Sequence, residues 1–170
     1  MLEKGEFVVK NFSASYFGYG DKVKDVCFSL REGEVMCLLG EEGSGKTTLL
    51  RALAGLEDCR GEVTLGGKNW LDMPLKDREV CYTFGRDSLD GKKSAAENIV
   101  KPLILRGAGR EEIKEALKRA ARLADVGDIL AEKVKGLPPY YIAKVILARA
   151  FVRKTNLLLL DEPLSELTFT

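Results

Sequence analysis

The chain has no histidine, and its four cysteines, Cys27, Cys37, Cys59 and Cys81, are dispersed without a C-x-x-C pair. That leaves no ligand pattern for a structural zinc site, and the thiols read as reduced core residues, three of them inside strand-like apolar runs. Long hydrophobic runs are missing too. The longest, such as Leu157 to Leu160, fall far short of a bilayer span, and no charged-then-apolar leader opens the chain, so a cytosolic location is expected. Charge bias is also absent: 27 Lys plus Arg against 26 Asp plus Glu give a net charge of +1. This provides no whole-chain attraction to nucleic acid or anionic lipid. There are no internal repeats and no low-complexity segment. What remains is 170 residues, 45% hydrophobic and 31% charged, the balance of one soluble globular domain with its own core.

Phe7 to Tyr16 and Val23 to Leu30 carry β-branched and aromatic residues around the turn-rich Phe17-Gly18-Tyr19-Gly20-Asp21, and read as paired strands. Val35 to Leu39 reads as a short buried strand of a parallel sheet, covered by a helix from Gly45 to about Gly55. Gly61 to Leu65 and Glu79 to Phe84 are further candidate strands. From Ser94 to Gly127 the pattern turns helical, with Ile113, Leu117, Ala120, Ala121 and Ala124 on one stripe and Glu115 and Arg119 paired on a solvated face. Another helix is expected from about Pro139 to Val152, followed by a buried strand from Asn156 to Leu160.

Between the third strand and its helix, Gly40-Glu41-Glu42-Gly43-Ser44-Gly45-Lys46-Thr47-Thr48 fits the phosphate-loop pattern G-x-x-x-x-G-K-[ST] at every specified position. The glycines let successive N–H groups from Gly43 to Thr47 turn inward at a helix N-terminus, where phosphate oxygens are stabilised. Lys46 adds a charge able to follow the β- and γ-phosphates, and the Thr47 hydroxyl is suited to Mg2+. Nucleoside triphosphate binding through Gly40, Gly43, Ser44, Gly45, Lys46, Thr47 and Thr48 is the expectation. Glu41 and Glu42 add negative charge that cannot strengthen it.

Far along the chain, Leu157-Leu158-Leu159-Leu160-Asp161-Glu162 is the complement of such a loop, an apolar strand delivering two acids. Asp161 is suited to hold a metal-bound water, and Glu162 to orient or deprotonate the water that attacks the γ-phosphate.

With these motifs, Leu160-Asp161-Glu162-Pro163-Leu164-Ser165, the helix segment Leu147-Ala148-Arg149-Ala150, Gly33-Glu34 and Ala96-Glu97-Asn98-Ile99 make the chain resemble the ATP-binding cassette (ABC) ATPases over nearly its whole length. The resemblance implies an α/β fold: a P-loop NTPase core of mainly parallel sheet with flanking helices, an N-terminal antiparallel β subdomain and a helical insert. Residues 1–170 would form a single nucleotide-binding domain, divided into a β subdomain with the phosphate-loop core (1–85), a helical subdomain (86–138) and a return to the core (139–170). It implies ATP and Mg2+ as cofactors, Lys46 and Glu162 as catalytic residues, Thr47 and Asp161 as metal ligands, and Tyr16 or Phe17 as the aromatic that stacks on adenine. By the same resemblance the partners are a second nucleotide-binding subunit and separate transmembrane permease subunits, with no nucleic acid. The chain would then lie in the cytoplasm against the inner face of the membrane. Its spacing looks more like subunits of import systems.

The resemblance also has gaps. Where the family carries a Ser-Gly-Gly signature, this chain reads Leu137-Pro138-Pro139-Tyr140-Tyr141, which removes a hydroxyl and a backbone N–H and adds bulk. Two lost hydrogen bonds to a charged group, at about 1.5–3 kcal/mol each, would weaken ATP-driven closure roughly a hundredfold or more. Gly85 replaces the usual glutamine, and Ser165-Glu166-Leu167-Thr168 lacks the usual aspartate after its leucine. The sequence ends at Thr170, ahead of the strand that in the family ends in a γ-phosphate-sensing histidine, and is expected to be a fragment or the product of a truncated gene. Without that strand the sheet would hold an empty lane about 10 Å wide. The alternative function is a nucleotide-binding cassette with little turnover, serving as a regulatory or heterodimer partner.

Overall fold

Phe7 and Val9 are buried along the first strand, β1 (Phe7–Ser15), with Lys10 exposed between them and the next turn of the pattern, as a sheet with one face on a core requires. The computed structural model describes residues 5–16, 20–85 and 88–164. The chain divides into two compact units, Met1–Val80 and Cys81–Thr170.

In the first unit β1 pairs antiparallel with β2 (Asp21–Leu30) on one side and β3 (Cys59–Leu65) on the other, and β3 turns back into β4 (Lys68–Asn69). The register of β1 against β3 shifts between Lys10 and Ser13, where Asn11 takes a positive φ of 47°, so Phe12, Ser13 and Ala14 are all buried beyond the irregularity. Gly61 permits it: with φ at 120°, a Cβ there would meet the Asn11 carbonyl oxygen at 2.6 Å and Phe12 Cα at 2.8 Å. Helix α1 (Lys46–Leu53) buries Leu49, Ala52 and Leu53 and packs on β1 and β2. Its C-terminal end is tied down by Trp70, whose fully buried ring donates Nε1–H to the Leu53 carbonyl at 3.0 Å and meets Phe7 edge-on at 5.4 Å.

Two expectations need correction. Val35 to Leu39 is not a buried strand: it joins no sheet among the described residues, and Val35 and Leu39 are 95% and 90% exposed. A central parallel strand needs partners for its N–H and C=O groups along both edges, and no described strand pairs with this stretch. Nor are the thiols core residues. All four are free, but Cys27 and Cys37 are exposed and Cys59 and Cys81 half-buried. Cys27 falls on the exposed phase of β2, and Cys37 lies in the unpaired stretch.

Strand β5 (Val80–Tyr82), which begins on the last residue of the first unit, pairs with β6 (Leu157–Leu159), and in the second unit three helices share one apolar core. The long helical pattern is two helices, α2 (Ala95–Leu105) and α3 (Arg110–Ala124), interrupted around Gly107. Ala116, Ala120, Ala121 and Ala124 are buried against Ile99 and Ile142, with Ile113 and Leu117 partly so. Arg119 does not turn outward to Glu115 but donates to the Val152 carbonyl at 3.2 Å. Helix α2 opens with a reciprocal cap between Ser94 and Glu97, and the buried Asn98 amide binds the Asp90 backbone through both its oxygen and its nitrogen. Helix α4 (Pro139–Phe151) starts with Pro139 in its first turn, where the missing N–H costs nothing. Among the described residues no helix is long and apolar enough to cross a membrane.

Candidate nucleotide site

The phosphate loop closes onto α1 through glycine conformations that an L side chain resists. Gly43 has φ at 73°, and Gly45, the residue capping α1, sits left-handed at 101° with no side-chain cap. A helix N-terminus of this kind presents N–H groups suited to anionic oxygens. A Cβ on Gly40 would fall 2.7 Å from Ser44 Oγ, and one on Gly45 would fall 2.9 Å from Val23 Cγ2, so neighbouring side chains leave little room for a larger residue at either glycine. Lys46 Nζ donates to the carbonyls of Gly40 and Glu41, 2.9 Å each, which fixes the ammonium to its own loop with a third N–H to spare. Thr47 is exposed and Thr48 is buried beneath it, 5% exposed. Glu41 and Glu42 are exposed. These loop residues fit a triphosphate: a left-handed glycine turn, a fixed cation and an exposed hydroxyl on one short stretch.

Tyr16 is half-exposed just past the end of β1, whereas Phe17 lies outside the described residues.

The acids stand at the end of β6 in the second unit. Asp161 is half-buried and Glu162 exposed, and Glu162 has a positive φ of 42°, unusual for a residue with a Cβ. Two neighbours on the β5 side fix Asp161. Tyr82 Oη donates to Asp161 Oδ2 at 2.6 Å, and the Asp161 N–H donates to Thr83 Oγ1 at 3.0 Å. Thr83 is itself buried, with its N–H on the Leu159 carbonyl at 3.0 Å. Nearby, Arg149 donates to the Ser88 carbonyl at 2.7 Å, and burial pushes the Cys81 thiol up from its ordinary range. Gly85 is exposed with open space where a side chain would stand.

Comparison with known proteins identifies the family. The family model described as ABC transporter matches residues 23–165. The chain belongs to the ABC transporter family. Among the relatives of this ABC chain is a trehalose/maltose import ATP-binding protein, MalK, of Thermococcus litoralis, 37% identical over 158 residues, covering 89% of this chain and 42% of the relative. An sn-glycerol-3-phosphate import ATP-binding protein, UgpC, of Rhodopseudomonas palustris is 34% identical, covering 94% and 44%. A Fe(3+) ions import ATP-binding protein, FbpC, of Photorhabdus laumondii subsp. laumondii is 36% identical, covering 89% and 43%. The chain thus spans less than half the length of these relatives. Among solved structures, an ABC transporter ATP-binding protein of Pyrococcus furiosus superposes with a TM-score of 0.79 at 20% identity, over 94% of this chain and 76% of that one, and so shares the fold.

The α/β P-loop architecture with an antiparallel β subdomain, implied by the resemblance, is the architecture of this family member. Tyr82 and Thr83 are the residues that sequence reasoning missed. Their one signal was a pair of hydroxyls in the otherwise apolar Val80-Cys81-Tyr82-Thr83-Phe84.

Proposed function

We infer that this chain is an ATP-binding and ATP-hydrolysing subunit of an ABC importer, driving transport through separate membrane subunits. The observation that carries the reading is the phosphate loop as it stands: left-handed Gly43 and Gly45 with Lys46 held on the loop carbonyls at the head of α1. Gly40 to Thr48 would cradle the phosphates, Lys46 would neutralise them, and Thr47 and Asp161 would supply hard oxygen ligands to Mg2+. When bound, the metal ion neutralises charge that develops between the β- and γ-phosphates. Glu162 would orient the attacking water and accept its proton. Tyr16 remains the described candidate for adenine, at a contact worth about a couple of kcal/mol.

The relatives named above act in import of unlike solutes, a disaccharide, a phosphoester and a metal ion. The solute would therefore be read by partner subunits rather than by this one. Docking to those partners would place the chain at the inner membrane face, and a second nucleotide-binding subunit would complete the assembly. Family membership and the paired acids support hydrolysis over a purely nucleotide-binding role.

The test is equilibrium binding of a fluorescent ATP analogue together with phosphate release. Lys46→Ala should lower nucleotide affinity at least about tenfold, and Glu162→Gln should bind nucleotide normally while losing about 100-fold or more of the turnover. Turnover that survives Glu162→Gln unchanged overturns the assignment of the general base.

A further inference from the structure

Asp161 is gripped by two consecutive residues, Tyr82 and Thr83, that lie 79 and 78 positions earlier in the chain. Each grips a different part of it. Thr83 Oγ1 accepts the backbone N–H, which sets where the chain leaves β6. Tyr82 Oη donates to one carboxylate oxygen at 2.6 Å, the length of a hydroxyl donating to a carboxylate. The phenol is a fixed point, because its ring packs edge-on against Phe84 with centroids 4.9 Å apart and planes at 78°. A carboxylate has about four lone-pair sites, so one phenol hydrogen bond sets its rotamer and leaves acceptor capacity for a metal-bound water. The next residue, Glu162, is in a left-handed conformation at φ 42°.

We propose that Tyr82 is a positioning residue for this site: its hydroxyl holds the Asp161 carboxylate in the orientation that receives the hydrated Mg2+ of MgATP. The inference rests on the reading of Asp161 as a metal ligand. Partners one step removed from a metal govern its affinity by roughly 10- to 100-fold, because they fix ligand direction before the metal arrives.

The experiment titrates the full chain with Mn2+ in the presence of a non-hydrolysable ATP analogue, reading free Mn2+ by electron paramagnetic resonance and correcting for nucleotide alone. It compares the parent with Tyr82→Phe, Asp161→Asn and the double variant. Tyr82→Phe should weaken Mn2+ binding about tenfold while leaving the metal-free affinity for the analogue within about twofold. In the Asp161→Asn background the same change should have no further effect. Unchanged or tighter Mn2+ binding in Tyr82→Phe, or an equal loss in both backgrounds, overturns the positioning role while leaving Asp161 as a ligand. If Asp161→Asn itself binds Mn2+ like the parent, the metal-ligand reading fails, and the inference falls with it. Circular dichroism and a melting curve identify a variant that has lost its fold. In that case Tyr82→Leu, which likewise removes the donor, replaces Tyr82→Phe under the same outcomes.

Discussion

The two halves of the proposed nucleotide site are built in opposite ways. In the first unit the phosphate loop holds itself: Lys46 binds carbonyls five and six residues back, and the loop turns on Gly43 and Gly45. In the second unit Asp161 does not hold itself. Its position depends on Tyr82 and Thr83, which reach it only after the chain has built three helices and returned along β6. A self-contained loop survives changes elsewhere in the chain but tolerates little change within it. An acid held from a distance has the opposite sensitivities.

The sharpest way to break the first half is at Gly45. Its φ of 101° is a conformation an alanine resists, and the added methyl would stand 2.9 Å from Val23 Cγ2 and 3.4 Å from the Lys22 carbonyl. Backbone strain of this kind costs about 1–3 kcal/mol before the clash is counted. Gly45→Ala is expected to reduce affinity for a fluorescent ATP analogue by more than tenfold, with or without metal. Parent-like affinity would mean that the loop is not shaped by this residue.

Thr83→Val is the corresponding break in the second half, and its effect should be smaller. It leaves the part-buried Asp161 N–H without its hydroxyl acceptor, a loss of about 1 kcal/mol. Urea unfolding should register that loss, and turnover should fall, while metal-free nucleotide affinity stays as in the parent. If affinity without metal falls as much as turnover, the two halves are not independent in the way their construction implies.

The same contrast explains what could be read from the sequence. The phosphate loop, the start of α4 at Pro139 and the apolar stripe of α3 are set by neighbours a few residues away, and each stands where its local pattern placed it. Val35 to Leu39 failed because a run of apolar residues states a preference for burial but cannot supply the strands that must flank it. Cys27 failed for a related reason. An apolar run places it in β2, but only the register against β1 decides which face it takes. Tyr82 and Thr83 were invisible as site residues because a hydroxyl in a strand says nothing of its partner across the sheet. Arg119 likewise had an obvious partner four residues away in Glu115, and packing gave it the Val152 carbonyl instead.

The smallest expected effect comes from a feature of the second unit built like the first, the cap of α2. Ser94 Oγ accepts the Glu97 N–H at 3.2 Å, and Glu97 Oε2 accepts the Ser94 N–H at 2.8 Å. Ser94→Ala should cost about 1 kcal/mol of stability by urea unfolding. The backbone hydrogen bond from Ser94, with smaller help from its side chain and Lys93, holds the Glu97 carboxyl below its ordinary value. A folded-state pKa lowered in this way contributes stability above the ordinary glutamate range, and that contribution is lost as pH falls through the depressed value. Glu97→Gln should therefore be less stable than the parent at neutral pH, with the gap narrowing once pH drops below about 4.3. A gap that stays constant through that range would show that the carboxylate charge is not what closes the cap. Neither variant should alter nucleotide affinity, because this cap, like the phosphate loop, is complete within a few residues of chain.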